Sequence, residues 1–532
     1  MYRNKNIKLL TFIKILSIAF YCGLTGSVLA DGLPSVTKIN DTIVDTHAMT
    51  LSSGTYGYAI NGLSFQQNLL VSHNGWQYAA YYNGAGHVCA ARRQLPSGSW
   101  AVAELTDYTI STTGDAHNTI SLGICPNDGT IHLSFDHHGG ALHYRRSQTR
   151  IADNPETIVW DASLFGPVQN CLIPGKTISS VTYPRFWQTP DGDLQFGYRA
   201  GGSGNGDWYM ADYTAAVGLW SNVRQIINRY GSYTDSMGTS NLRNAYLNGP
   251  VEYGPEGKLH ITWTWRESAN HDIMYAYSSD GGNTWYNHML PAEFRLGAGH
   301  AAQQALLSFR WINEGLQVIG NTFAGLLIRV DSPGVTVVPL ERKYGIMNQQ
   351  AQAIDAQGRV HVLMFHCTPE SYTGYNYSTF GPVGARRYNH YWQDARGRWI
   401  RNELPFDPNN VSSYVGQRPK LFIRSNGDAY AIYQAWRSTS LNHSGIYIHD
   451  GDLVIQAATQ ANQWTDWRII HIELGPFLNE ALADPYRFRD GILSVAMQES
   501  PSENGQPTPL RVLDFQLYPT GMIIPRAKEA PG

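Results

Sequence analysis

Apolar and polar residues alternate with period two in short runs along most of this chain, and most runs adjoin an Asn, Asp, Glu or Gln followed by Gly. That alternation is the pattern of half-buried β-strands, and the punctuation is that of tight hairpin turns. The unit recurs as "NDGTIHLSFDHH", "PDGDLQFGYRAG", "PEGKLHITWTWRE", "AQGRVHVLMFHC" and "SNGDAYAIYQAW", with weaker versions at "HNGWQYAAYYNG" and "RDGILSVAMQES". Its turn glycines are Gly75, Gly129, Gly192, Gly257, Gly358, Gly427 and Gly491, and all but one of the intervals between them are similar in length. The wider gap, from Gly257 to Gly358, leaves room for one more unit, around "EGLQVIGNTF".

A hairpin unit that cannot bury both of its faces must stack on its neighbours, and radial stacking of such sheets makes a propeller. The spacing therefore predicts an all-β, seven-bladed β-propeller, with one blade closed by strands from both chain ends. Two stacked β-sandwiches are the structural alternative. "YSSDGGNTW" carries Ser278-x-Asp280-x-Gly282-x-Thr284-Trp285, the Asp-box turn, which supports the fold and says little about chemistry.

Composition agrees: 52 Gly, 32 Tyr and 15 Trp with 15% charged residues describe many strands and turns. No stretch resembles a linker, so residues 31–532 are expected to form a single domain. Residues 1–30 read as a signal peptide, with Arg3, Lys5, Lys8 and Lys14 among and before an apolar run that ends Val28-Leu29-Ala30. A lipid anchor at Cys22 is the alternative, disfavoured by bulky Phe20-Tyr21. The expected product is secreted, extracellular or periplasmic, after cleavage near Ala30. Without those residues 35 Lys+Arg face 42 Asp+Glu, a formal charge of −7, and no basic run suits nucleic acid. No later apolar stretch is long enough to span a membrane. Cys89, Cys125, Cys171 and Cys367 are scattered and allow up to two disulfides.

Chemistry-bearing residues gather at the open ends of two hairpins. "GDAHNTISLGICPNDGTIHLSFDHHGG" has His117 before one strand and His137-His138 after its antiparallel partner, which brings His117 and His138 to the same end. His132, near the turn, reads as structural. In the next hairpin Tyr183 precedes one strand and Arg199 follows the other, leading into the glycine-rich Gly201 to Gly206, where a backbone can approach a ligand closely. Imidazole titrates near neutral pH, so paired histidines suit acid–base work as well as hydrogen bonding.

The strings "DAHNTISLGI", "HLSFDHHGGALHYRRS", "TYPRFWQTPDGDLQFGYRAGGSGNGDWY" and "LHITWTWRESANHDIMYAYSSDGGNTW" resemble the BNR-repeat family that includes the ulvan lyases of polysaccharide lyase families 24 and 25. The resemblance implies a seven-bladed propeller that cleaves ulvan, a sulfated rhamnose/uronic acid polymer, beside glucuronate or iduronate by β-elimination. It implies a catalytic group of His117, His138, Tyr183 and Arg199, with His137 competing for the place of His138. Arg199, a permanent cation with a planar fork, suits the uronate carboxylate. Tyr183 suits the acid and base roles, His138 a base or coupled acid, and His117 a share of the carboxylate. Asn118, His137, Arg266 and His271 are the substrate-binding candidates.

No cofactor is expected for the chemistry. The sequence allows a structural zinc or calcium, with His366, Cys367 and His390 as the zinc ligands; a buried cysteine near unrelated histidines explains the same residues. The expected partner is an acidic sulfated polysaccharide, with no nucleic acid or membrane and a monomeric chain. The rival readings are a non-catalytic carbohydrate-binding propeller and a sialidase-like glycoside hydrolase.

Overall fold

The computed structural model describes residues 32–520 apart from 54–57, 64–67, 113, 288–316, 370–385, 395–396, 406–417 and 442–446, with residues 436–441 and 447–450 described as backbone alone. The expected signal peptide, residues 1–30, lies outside the described residues.

All seven turn glycines adopt the left-handed backbone, with φ between 62° and 86°, where a side chain would be strained. Each joins successive antiparallel strands, except that at Gly491 a five-residue helix, Pro485–Arg489, is inserted before the turn. The hairpins extend into sheets ordered along the chain, such as Leu70–His73, Trp76–Tyr82, His87–Gln94 and Ala101–Thr109. Among the described residues six sheets have at least four strands, another has three, and a two-stranded hairpin stands apart.

The first strands of successive sheets line a common axis. Leu70–His73 packs on Ile120–Ile124, which packs on Val181–Gln188; Ala351–Ile354 packs on Lys420–Ile423; and the helix Pro485–Arg489 packs back on Leu70–His73. Arg185 joins two of these sheets, its buried guanidinium donating to the carbonyls of Leu247 (2.7 Å) and Asn248 (2.9 Å). The ring is closed as expected by both chain ends, since Ser35–Ala48 pairs with Thr508–Tyr518 in one sheet. Arg93, from the sheet that follows, reaches Asp514 in that closing sheet at 2.8 Å with neither side chain exposed. The fold is an all-β propeller.

Local chemistry explains several details. In the Asp-box, Asp280 Oδ1 accepts the Thr284 amide at 2.7 Å, Ser278 Oγ accepts that of Gly282 at 2.8 Å, and the Trp285 ring is fully buried. His132 is buried as expected, its Nδ1 2.7 Å from the Tyr144 hydroxyl. The four cysteines are free thiols, so the two allowed disulfides are not formed.

The segment around "EGLQVIGNTF" departs from expectation. Residues 314–316 lie outside the described residues, and Val318–Asn321 pairs with Thr284–Tyr286 as an outer strand of an existing sheet. Asn321 then caps a 3-10 turn through the Ala324 amide, which ends the strand before it can begin a hairpin of its own.

Candidate functional site

Strand register brings the two histidine- and tyrosine-bearing hairpins together. His138 begins a short strand, His138–Gly140, that pairs with Val181–Gln188, placing it opposite Thr182 and next to Tyr183. On the other side Thr182 pairs with Arg199. The register slips between Thr182 and Arg185, and within that slip Tyr183 adopts φ +57°, a conformation strained for an aromatic residue. Strain of this kind, held by strands on both sides, aims the ring away from its normal alternation.

His117 and His138 lie ring on ring, with centroids 4.0 Å apart and planes 17° from parallel. Asp115 holds both: Oδ1 contacts His117 Nδ1 at 2.6 Å and Oδ2 contacts His138 Nδ1 at 2.5 Å. Burial pushes the Asp115 carboxyl up, but the bonds from the two histidines and from the His117 amide outweigh it and hold the group well below the ordinary range. An ionised carboxylate only accepts, so each Nδ1 carries a proton and each Nε2 is the basic position. His117 is itself shifted below the usual histidine value, mainly by burial, with His138 and Arg418 adding to it and Asp115 opposing.

The Tyr183 ring, 2% exposed, lies 6.0 Å from that of His117 and 5.8 Å from that of Tyr246. The Arg199 guanidinium sits 4.8 Å from the Tyr183 ring centre and 5.8 Å from that of Tyr246. Arg199 is 1% exposed, and its Nε and Nη1 have no hydrogen-bond partner among the described residues. A buried guanidinium with open donors is costly unless a ligand supplies the anion. Burial drives the Tyr183 phenol well above its ordinary value, helped by Tyr246 and opposed by Arg199 and Arg418. For Tyr246 burial also raises the phenol, but Arg199 and Arg266 overcome it and leave it below the ordinary value.

The glycine-rich stretch forms the tight end of a hairpin rather than an open loop: Leu194–Gly202 pairs with Asn205–Thr214 up to Gly202 opposite Asn205. A Cβ at Gly206 would lie 2.8 Å from Arg199 Cδ and 3.0 Å from the Ala200 carbonyl. This glycine makes room for the arginine side chain.

Of the sequence candidates, His117, His138, Tyr183 and Arg199 converge. His137 does not: it is fully buried, between the two strands Ile131–Phe135 and His138–Gly140, and its Nε2 accepts the His143 amide at 2.8 Å. Asn118 adjoins the group but is 7% exposed and donates to Asp136 at 2.5 Å. Arg266 acts on Tyr246, whereas His271 is fully buried, stacked 3.4 Å from Tyr233 and bonded to Asp272. His137 and His271 are thus placed as core residues, out of reach of a polymer.

The proposed zinc ligands are not brought together. His366 and Cys367 are consecutive on Val360–Cys367 and face opposite sides, and His366 bonds the Tyr391 hydroxyl through Nε2. His390 pairs across from Leu363, and its Nε2 lies 2.9 Å from His361 Nδ1. The donor atoms of Asp115, His117 and His138 do lie within 4.8 Å of one another, but their short N···O contacts already satisfy one another.

Three members of the site were not read from the sequence. Asp115 lies two residues before His117 and was signalled by the Asp-x-His spacing. Tyr246 sits on Asn244–Leu247 in the next sheet. Arg418 reaches the site from the far side of the ring, held by Glu480 at 2.8 Å and by Asn348. Nothing in the local sequence of Tyr246 or Arg418 marks it.

The fold and site thus define an all-β propeller with a half-buried His/Asp/His group beside a buried Tyr/Arg pair at one end of its strands. The chain belongs to the BNR repeat-containing family, whose model matches residues 76–406. It is 29% identical over 211 residues to the long-isoform ulvan lyase of Glaciecola strain KUL10. It is 28% identical over 214 residues to the short-isoform ulvan lyase of Alteromonas strain LOR. Each match covers 33% of this chain, but only 20% and 39% of those relatives. The crystal structure of the polysaccharide lyase Uly1 superposes with a TM-score of 0.61 at 17% identity, over 90% of this chain and 99% of that one. The PL25 ulvan lyase bound to -[GlcA(1-4)Rha3S]- gives 0.55 at 12%, over 91% and 96%.

Proposed function

We propose that this chain is a polysaccharide lyase that cleaves ulvan at the 4-linkage of a uronate by β-elimination, leaving a 4,5-unsaturated uronate end. The observation that carries it is the buried Arg199 fork, with two open donors, beside Tyr183 and the Asp115-held histidine pair. The similarity to named ulvan lyases supports the same reading.

Elimination first needs the uronate carboxylate neutralised, because its charge keeps the C5 proton weakly acidic. Arg199 has the open donors for that, and preorganised donors at developing charge commonly contribute several kcal/mol, about 3 for a single one. Next it needs a base for C5–H. His138 is the more exposed of the two histidines, at 26% of its side chain, and its Nε2 is the basic position because Asp115 holds Nδ1. Last, the leaving O4 needs a proton. Tyr183, kept protonated by burial, supplies it, and Arg199 and Arg418 steady the phenolate until the proton returns. His117 backs His138 and lies toward the carboxylate. Every step is assigned to a side chain of this chain, with no cofactor.

The reading also covers the architecture and setting. The three-stranded sheet of Ile120–Ile124, Ile131–Phe135 and Tyr144–Arg146 counts as a blade, giving seven in one domain of residues 31–532. The chain is exported after loss of residues 1–30 and acts as a monomer on a sulfated polysaccharide.

The test is to incubate the protein with ulvan and follow the ultraviolet absorbance of the unsaturated uronate. Rising absorbance supports a lyase. Binding without absorbance favours a carbohydrate-binding propeller, and new reducing ends without absorbance favour a hydrolase.

A further inference from the structure

A cavity lies at the turn ends of the strands, opposite the histidine–tyrosine group. Val181–Gln188 has Tyr183 toward one end and runs into the turn at Gly192, and the cavity is lined from Phe186 to that turn. It holds about 400 Å³ and also takes its walls from Asn68, Pro126, Pro250 to Gly254, and the helix end at Pro485 to Arg489. These segments come from sheets that are not all neighbours, and such segments meet only around the axis. A cavity of this size falls within the range of small-molecule sites.

Most of its polar groups are bonded within the wall, as Asn68 is to the Phe186 carbonyl and Tyr253 to Gln195, and two charged side chains keep open atoms. Glu252 is half-buried in the wall; Oε1 accepts the Ile354 amide at 2.8 Å, and Oε2 has no hydrogen-bond partner among the described residues. Burial pushes this carboxyl up to about 7, against the pull of Arg489. Arg489 is exposed at the rim, with its guanidinium 5.2 Å from the Tyr486 ring centre, and makes no hydrogen bond or ion pair among the described residues. The Trp187 indole N–H is bonded to Gln195 at 2.7 Å, so its ring serves as wall. An open guanidinium fork matches a carboxylate, a carboxyl with an open oxygen matches hydroxyls, and aromatic faces match the C–H face of a polyol or sugar ring.

We infer that this cavity is a second ligand site, distinct from the histidine–tyrosine group, for a small carboxylate bearing several hydroxyls, an aldonic or uronic acid. Arg489 takes the carboxylate, Glu252 the hydroxyls, and Trp187, Tyr253 and Tyr486 the apolar face. The inference goes beyond the lyase reading and stands on the cavity's own residues.

The experiment is a calorimetric titration of the full chain with D-glucuronate, and with D-glucose as the uncharged control, in wild type and in Arg489→Ala. Arg489 is exposed, so its loss spares the core. Loss of a charge-assisted bond is expected to weaken glucuronate about tenfold or more, and glucose is expected to bind more weakly than glucuronate by a similar factor. Glu252→Gln is expected to weaken both ligands. Identical isotherms for wild type and Arg489→Ala, whether because nothing binds or because the histidine–tyrosine group alone binds, would overturn the inference. The lyase reading fails on a different readout, the absence of unsaturated ends.

Discussion

His117 and His138, from opposite ends of one hairpin sequence, stack at 4.0 Å and share one carboxylate, Asp115, through their Nδ1 atoms. Two like imidazoles in contact repel when both are charged, which adds to burial in holding His117 below the usual histidine value. Asp115→Asn would keep one acceptor oxygen and turn the other contact into a donor, so it could no longer set both tautomers. The expected result is a fall in kcat on the order of 10²-fold, in the range for a misdirected acid–base group, with little change in KM. Steady-state kinetics on ulvan check it.

The same carboxylate links stability to pH. Its folded-state value lies below the unfolded one, so its contribution is present above about pH 4 and is lost as the pH falls through the folded value. Urea unfolding should therefore show a gap between wild type and Asp115→Asn at neutral pH that narrows in acid. A gap that widens in acid would contradict the assignment of Asp115 as the ionised partner.

Tyr183→Phe keeps the ring that packs against Tyr246 and Arg199 and removes only the hydroxyl. Turnover should fall by about 10²-fold to 10⁴-fold while polymer binding is retained. Near-full turnover in this variant would remove Tyr183 from the acid role.

Gly206→Ala places a methyl group 2.8 Å from Arg199 Cδ. Relief requires the arginine stem or the hairpin backbone to shift, at a cost of about 1–3 kcal/mol. The expected outcome is a lowered melting temperature together with a raised KM for the charged polymer, since the fork that takes its carboxylate is displaced.

Asp514→Ala leaves Arg93 buried without its partner across the closing sheet. The expected loss is about 3–5 kcal/mol, read as a lower denaturation midpoint. A surface pair such as Arg468 with Asp466, half exposed on both sides, should change stability by about 1 kcal/mol or less when broken.

Much of this was legible in the chain because hairpin chemistry is local. Each turn glycine from Gly75 to Gly491 needs a left-handed backbone that its neighbours announce, and antiparallel pairing then fixes which residues share an end. That logic placed His117 with His138 and Tyr183 with Arg199. It could not separate His137 from His138, since which of the two begins the strand paired with Val181–Gln188 is set by a long-range pairing. Nor could it find Tyr246 and Arg418, which reach the site from other sheets through ring closure, a long-range property. The zinc reading failed for a local reason: adjacent residues on a strand face opposite ways.

The most direct test of elimination is the mass of the new uronate end formed from ulvan. Elimination expels O4 without adding water, so the uronate end is expected to be unsaturated and one water lighter than the hydrolysis product. A saturated uronate end at the full mass of the hydrolysis product would show that water attacks, and would contradict the roles assigned to His138, Tyr183 and Arg199.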